Sequence, residues 1–154
     1  LYNRGKAVNL ELERGDLQPD TGEGMDKIKV LIVDDNEVVR EGLKSILEPQ
    51  ADIEVIGEAT DGLEAVSKAE KLVPDVILMD AHMPGMDGTE ATRRIKRSQP
   101  EVKILFLTVY GDYVGAALEA GASWYLTKDC RRQDLMEAIR VLARSTRARA
   151  DKAS

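Results

Sequence analysis

Cysteine is almost missing from this 154-residue chain: Cys130 stands alone, so no intrachain disulfide can form and a reducing compartment is expected. Histidine is equally scarce, with His82 the single example. One Cys and one His do not make the nitrogen- and sulfur-rich set that zinc prefers. Long apolar runs are lacking too. None approaches the roughly 20 residues needed to span a bilayer, and nothing resembles a signal peptide. Positive charge is in deficit, with 22 Lys and Arg against 28 Asp and Glu and a net charge of −6. Nucleic-acid binding by this segment needs clustered cations, so it is disfavoured, and no membrane partner is expected. What remains is a cytoplasmic globular protein, 43% apolar and 32% charged, long enough for one domain with a real core.

Residues 1–24 differ from the rest. Gly15 to Gly24 is rich in Gly, Pro and acids and reads as a linker, while Val8, Leu10 and Leu12 alternate with polar residues as a short strand would. The segment is a linker, an upstream remnant or an expression-related addition, and Met25 looks like a natural start. From there the pattern is regular. Five short apolar runs read as strands: Ile28 to Val33, Ile53 to Glu58, Val76 to Met79, Lys103 to Leu107 and Trp124 to Thr127. The first and third are nearly continuous in Val, Ile, Leu and Met, as strands buried on both faces require. Helical faces lie between them: Val39, Leu43, Ile46 and Leu47; Ala65, Val66, Ala69 and Leu72; then Leu135, Ile139 and Leu142. Asp61 with Glu64 and Asp87 with Glu90 mark helix starts, and Pro49, Pro74 and Pro100 mark helix ends.

Five β-α units in strict alternation predict a doubly wound α/β fold with a parallel sheet and helices on both faces. Ligands of such folds bind beyond the carboxyl ends of the strands. There the sequence places Asp34 and Asp35 after strand one, Asp80 after strand three, Thr108 after strand four and Lys128 after strand five. Each has a plain alternative: Asp35 with Asn36 could cap a helix, Thr108 could end a strand, and Lys128 could be solvated. Their joint placement at one crevice favours a site. One lysine cannot neutralise three carboxylates, but a hard divalent cation can, and oxygen-only ligands suit Mg²⁺.

Taken together, Val-Leu-Ile-Val-Asp-Asp-Asn ending at Asn36, Val-Ile-Leu-Met-Asp ending at Asp80 and Met-Pro-Gly-Met-Asp-Gly at 83–88 resemble a response-regulator receiver domain. Leu-Thr-Val-Tyr ending at Tyr110 and Glu-Ala-Gly-Ala-Ser-Trp-Tyr-Leu-Thr-Lys-Asp ending at Asp129 extend the likeness, which is to NarL/FixJ-type two-component regulators. The resemblance implies a flavodoxin-like sheet of order 2-1-3-4-5 with five helices over residues 25–144, and a tail or linker stub over 145–154. It implies a phospho-acceptor signalling domain rather than a conventional enzyme, one that promotes its own phosphorylation and dephosphorylation. Asp80 would be the nucleophile, served by a sensor histidine kinase. Mg²⁺ would be held by Asp34, Asp35, Asp80 and the backbone carbonyl of His82. Lys128 and Thr108 would contact the phosphoryl oxygens, Thr108 and Tyr125 would form the switch, and residues 111–142 the output surface. His82 and Tyr110 would flank the approach of a hydrolytic water. A phosphorylation-promoted homodimer and control of transcription, through a DNA-binding domain outside this chain or through a partner, complete the expectation.

The chain departs from the pattern at two places. Asp129 follows Lys128 where many receivers have a cis-proline, so a trans bond is expected. Trp124, the single tryptophan, replaces a frequent glycine and is either laid over a neighbouring helix or a contact hot spot. Cys130 falls near the start of the last helix, where a thiolate would be favoured. Other classes fit less well. A haloacid-dehalogenase phosphatase carries its nucleophile on strand one, a flavodoxin needs a Ser/Thr-rich phosphate loop where Asp34-Asp35 stands, and a silent docking module would not need the full residue set.

Overall fold

The computed structural model describes residues 26–109, 111 and 114–153, with side chains described to Ser145. Strands β1 (Ile28–Val33), β2 (Ile53–Ala59), β3 (Val76–Asp80), β4 (Lys103–Thr108) and β5 (Trp124–Thr127) alternate with helices α1 (Glu37–Leu47), α2 (Gly62–Leu72), α3 (Gly88–Ser98), α4 (Val114–Ala120) and α5 (Arg132–Ala153). The sheet is parallel throughout, in the order β2-β1-β3-β4-β5, as expected. Asp80 and Thr108 are the last residues of their strands rather than the first beyond them. The ladder carries Asp80 because it pairs with Leu107, and Thr108 because it pairs with Thr127.

Side chains of successive strand residues point to opposite faces, and this period of two divides the core. Leu31, Val33, Ile77, Met79, Ile104 and Phe106 face Ala65 and Ala69 of α2, Ala91 and Ile95 of α3 and Ala117 of α4. Val30, Ile32, Leu78, Leu105 and Leu107 face Leu47 of α1 and Leu135, Ile139 and Ala143 of α5. β3, at the centre, is buried along its whole length. β2 carries an irregularity: the register against β1 slips between Val30 and Leu31, so that Leu31 meets Gly57.

Helix starts use the expected acids, with differences. Asp61 Oδ1 accepts from the Glu64 N–H at 2.8 Å, while Glu64 Oε1 accepts from the N–H of Thr60, the residue before the cap. Asp87 Oδ1 accepts from the Glu90 N–H at 2.9 Å. Glu90 does not reach back; it pairs with Arg93 and Arg94 on the exposed face. At α1, Asn36 is the cap, its Oδ1 accepting from the N–H groups of Val38 and Val39 at 2.8 and 3.2 Å. Asp35 is thereby released from capping. Pro49, Pro74 and Pro100 each follow a helix end, where the ring prevents another turn. The 1–24 segment lies outside the described residues, and the α5 backbone continues through the region expected as a tail.

Thr92 on α3 is fully buried, and its hydroxyl has no hydrogen-bond partner among the described residues. A buried unsatisfied polar group costs about 1–3 kcal/mol, and valine has the same shape without that cost. Thr92→Val should therefore raise the unfolding free energy by about 1 kcal/mol, measured by urea denaturation. An unchanged or lower midpoint would show that a water satisfies the hydroxyl.

Candidate functional site

At the carboxyl ends of β1 and β3 the chain turns sharply, and local chemistry explains how. After Asp80 the loop doubles back over its own strand. Gly88 permits this, because a Cβ there would lie 2.2 Å from the Asp80 carbonyl oxygen. Gly85 has φ of +74°, the left-handed region that glycine enters without strain. Ala81 and Met83 are buried in the doubled-back loop, while His82 is exposed. The His82 N–H donates to Asp80 Oδ1 at 3.3 Å. After β5, the Lys128 N–H donates to the Thr108 carbonyl at 2.8 Å, fixing the point from which the lysine side chain reaches inward.

That side chain joins residues far apart in sequence. Lys128 Nζ lies 2.9 Å from Asp34 Oδ2, a contact across 94 residues, and 3.1 Å from Asp80 Oδ1. Asp34 and Asp80 are 1% and 5% exposed, whereas Asp35 faces solvent. One carboxylate oxygen from each of Asp34, Asp35 and Asp80 lies within 4.8 Å of the others. The structure thus brings together four of the residues singled out from sequence. Thr108 closes β4 at the same end of the sheet, 4% exposed.

The charges are not balanced. Burial raises the Asp80 pKa above the ordinary carboxylate range and Asp34 adds to the rise; the hydrogen bond from Lys128 opposes both without cancelling them. For Lys128, burial favours the neutral amine, but bonds to Asp34 and Asp80 outweigh it and raise its pKa. Three carboxylates and one ammonium leave an excess of negative charge in a set of oxygen donors only. That donor set, open to solvent through Asp35, fits a hard divalent cation such as Mg²⁺ and offers nothing to a soft metal.

Tyr125 is partly buried and packs against the cluster containing Phe106, its ladder partner. Trp124 points to the other face, 54% exposed, and lines an open groove of about 460 Å³ with Leu126 and, on α5, Val141 and Leu142. Tyr110 lies outside the described residues. No cis peptide occurs among the described residues, so the Lys128-Asp129 bond is trans as expected. The expectation of a favoured thiolate at Cys130 is overturned. Burial, with Asp134 and Asp129 nearby, raises its pKa, and α5 begins only at Arg132. Sequence reasoning also missed Arg40, which donates from Nη1 to the Asp34 carbonyl at 2.8 Å and from Nε to Glu58 Oε1 at 2.9 Å. Only the apolar neighbour Val39 signalled the face of α1, and an arginine there reads as solvated.

A parallel α/β domain with an acidic cluster at the carboxyl edge of its sheet, bridged by a lysine, belongs to the class of doubly wound folds that bind ligands at that edge. The model of the response regulator receiver domain matches residues 30–140, and the chain belongs to that family. Response regulator protein VraR of Staphylococcus aureus is 48% identical over 119 residues, which are 76% of this chain and 57% of VraR. The chain thus spans little more than half the length of the curated relatives it matches. The receiver domain of the NarL response regulator of Mycobacterium tuberculosis superposes with a TM-score of 0.72 at 33% identity, over 77% of this chain and 98% of that one. A chain of the CheX-CheY-BeF3-Mg²⁺ complex of Borrelia burgdorferi gives 0.68 at 27% identity, over 73% and 86%. Receiver domains are signalling domains that interact with histidine kinases and phosphatases and in general bind Mg²⁺ at an acidic pocket. Among the described residues, no helix is long and apolar enough to cross a membrane.

The raised Asp80 pKa has a consequence for metal-free protein. A carboxyl whose folded pKa lies above its unfolded value favours folding while protonated and loses that contribution as pH rises through its folded pKa. Asp80→Asn should therefore raise the metal-free melting temperature at neutral pH, with the gain over wild type shrinking as the medium is acidified into the carboxylate range. A variant less stable than wild type at neutral pH would show that the Lys128 contact dominates instead.

Proposed function

We propose that the protein takes a phosphoryl group from the phosphohistidine of a sensor histidine kinase onto Asp80, with Mg²⁺ at the acidic pocket, and passes the change to its β5-α5 surface. The supporting observation is the placement of Asp80: buried at the end of the central strand, 3.1 Å from Lys128, with carboxylate oxygens of Asp34 and Asp35 within 4.8 Å. An Asp80 carboxylate oxygen attacks phosphorus, the phosphorus-nitrogen bond breaks, and its electron pair returns to the partner's imidazole. Lys128 pairs with the incoming oxygens and Thr108 donates its hydroxyl to one of them. Asp34, Asp35, Asp80 and the His82 carbonyl hold the metal, which, when bound, offsets charge on the carboxylates and the phosphoryl group. Incubation with acetyl phosphate and Mg²⁺ should add one phosphoryl group, and Asp80→Asn should abolish it. Continued labelling of that variant would refute the assignment.

The receiver unit in this reading spans residues 25–144, works in the cytoplasm, and serves a NarL/FixJ-type two-component system that controls transcription, through a DNA-binding domain or through a partner. Thr108 and Tyr125 act as the switch: the hydroxyl moves toward the phosphoryl group and the ring turns inward behind it. The half-exposed Trp124 and the neighbouring apolar stripe of α5 support a contact surface there. Phosphorylation should promote pairing of two copies. Light scattering with beryllofluoride and Mg²⁺ should report a dimer where the untreated protein is a monomer; a monomer under both conditions would defeat it.

A further inference from the structure

We infer that Arg40 is a positioning residue that sets the Asp34-Asp35 peptide plane for metal binding, with Glu58 as its anchor; the inference rests on the Mg²⁺ site proposed above. Every polar atom of Asp34 is tied down. Its N–H donates to the Ala59 carbonyl at 3.1 Å, Oδ1 accepts from the Asn36 N–H at 2.9 Å, and Oδ2 accepts from Lys128 at 2.9 Å. The remaining atom, the carbonyl oxygen, accepts from Arg40 Nη1 at 2.8 Å. A peptide unit is planar, so fixing that carbonyl fixes the direction in which the chain enters Asp35. Asp35 is the exposed member of the acidic cluster, and among the described residues no hydrogen bond holds its carboxylate.

Charge alone does not account for an arginine at this position. A cation held at the Asp34 carbonyl opposes a metal bound close by, and it stands just inside the positive end of α1. Glu58 resolves the conflict. Its carboxylate accepts from Arg40 Nε at 2.9 Å and from Lys44 Nζ at 2.7 Å, and these partners hold its pKa below the ordinary glutamate range, Lys44 contributing most. The Glu58 carbonyl also accepts from Lys68 of α2. Glu58 is thus a fixed, ionised anchor on β2. Arg40, with its side chain 13% exposed, spans from it to the Asp34 carbonyl. The rigid fork of a guanidinium can donate in two fixed directions at once; a lysine ammonium on a flexible stem cannot hold the same geometry.

The sign of one substitution separates geometry from charge. Removing a nearby cation would tighten Mg²⁺ binding if only electrostatics mattered. If Arg40 positions the turn, Arg40→Met weakens Mg²⁺ binding by about tenfold, the size of effect seen when a residue supporting a metal ligand is removed. Arg40→Lys, which keeps the charge and guards against a folding defect, should weaken it in the same direction. Glu58→Gln combined with Arg40→Met should be no worse than Arg40→Met alone, since the two act as one unit. The measurements are Mg²⁺ calorimetry on the 154-residue protein and amide exchange of Asn36 without metal, which should speed up in both Arg40 variants. Unchanged or tighter Mg²⁺ binding in both variants would overturn the inference, as would weaker binding with Asn36 exchange unaltered. Wild type that binds no Mg²⁺, or Asp35→Asn that binds it as wild type does, would instead overturn the metal site itself.

Discussion

The contact on which the site depends is that of the Lys128 ammonium with two buried carboxylates far from it in sequence. Asp34 directly follows β1, Asp80 ends β3, and Lys128 directly follows β5. Each position is useful only because parallel strands deliver all three to the same edge of the sheet. A buried carboxylate pair without a cation is strongly disfavoured, and one cation for two buried carboxylates leaves the pair under-neutralised. The raised Asp80 pKa expresses that deficit. The fold therefore holds a charge imbalance at a place where a ligand could relieve it. Packing maintains it, because the strands beneath are buried on both faces and the loop after Asp80 is pressed down through Gly88.

Much of this was legible in the sequence because the signals were periodic or local. Apolar runs gave β1 and β5 with their ends intact, and β2, β3 and β4 short by one residue each. Those shortfalls have one cause: Ala59, Asp80 and Thr108 are held by ladder pairing, which the hydrophobic pattern does not encode. The acidic cluster and Lys128 were legible as strand-end polar residues, though their distances were not. Whether Asp35 or Asn36 capped α1 could not be read, since both are good caps; the backbone chose Asn36. Arg40 and Glu58 were invisible for a different reason. Their pairing joins a helix to a neighbouring strand across 18 residues, and each alone looks like an ordinary charged surface position. The mistaken reading of Cys130 has the same root: proximity to a helix start was legible, but not burial or the acids around the thiol.

The site and the proposed output face are joined by the shortest of the described strands. β5 has four residues and, among the described residues, pairs on one side only, with β4. Edge strands with few partners yield before central ones do. Along β5 the faces alternate: Trp124 and Leu126 turn toward α5, and Tyr125 turns toward the cluster containing Phe106. At its end the Thr108 carbonyl accepts the Lys128 N–H, so the residue proposed to bind through its hydroxyl and the residue that supplies the ammonium share one backbone hydrogen bond. A new anion on Asp80 would draw on both together. Their common displacement would enter the β4-β5 ladder at its last rung, where Thr108 faces Thr127. Three residues further back on that strand stands Trp124, in a groove that α5 leaves open. The short lever between ammonium and indole is a direct result of placing the lysine immediately after the edge strand. A lysine after the central strand would neutralise the same carboxylates, but its movement would be resisted on both sides of the sheet.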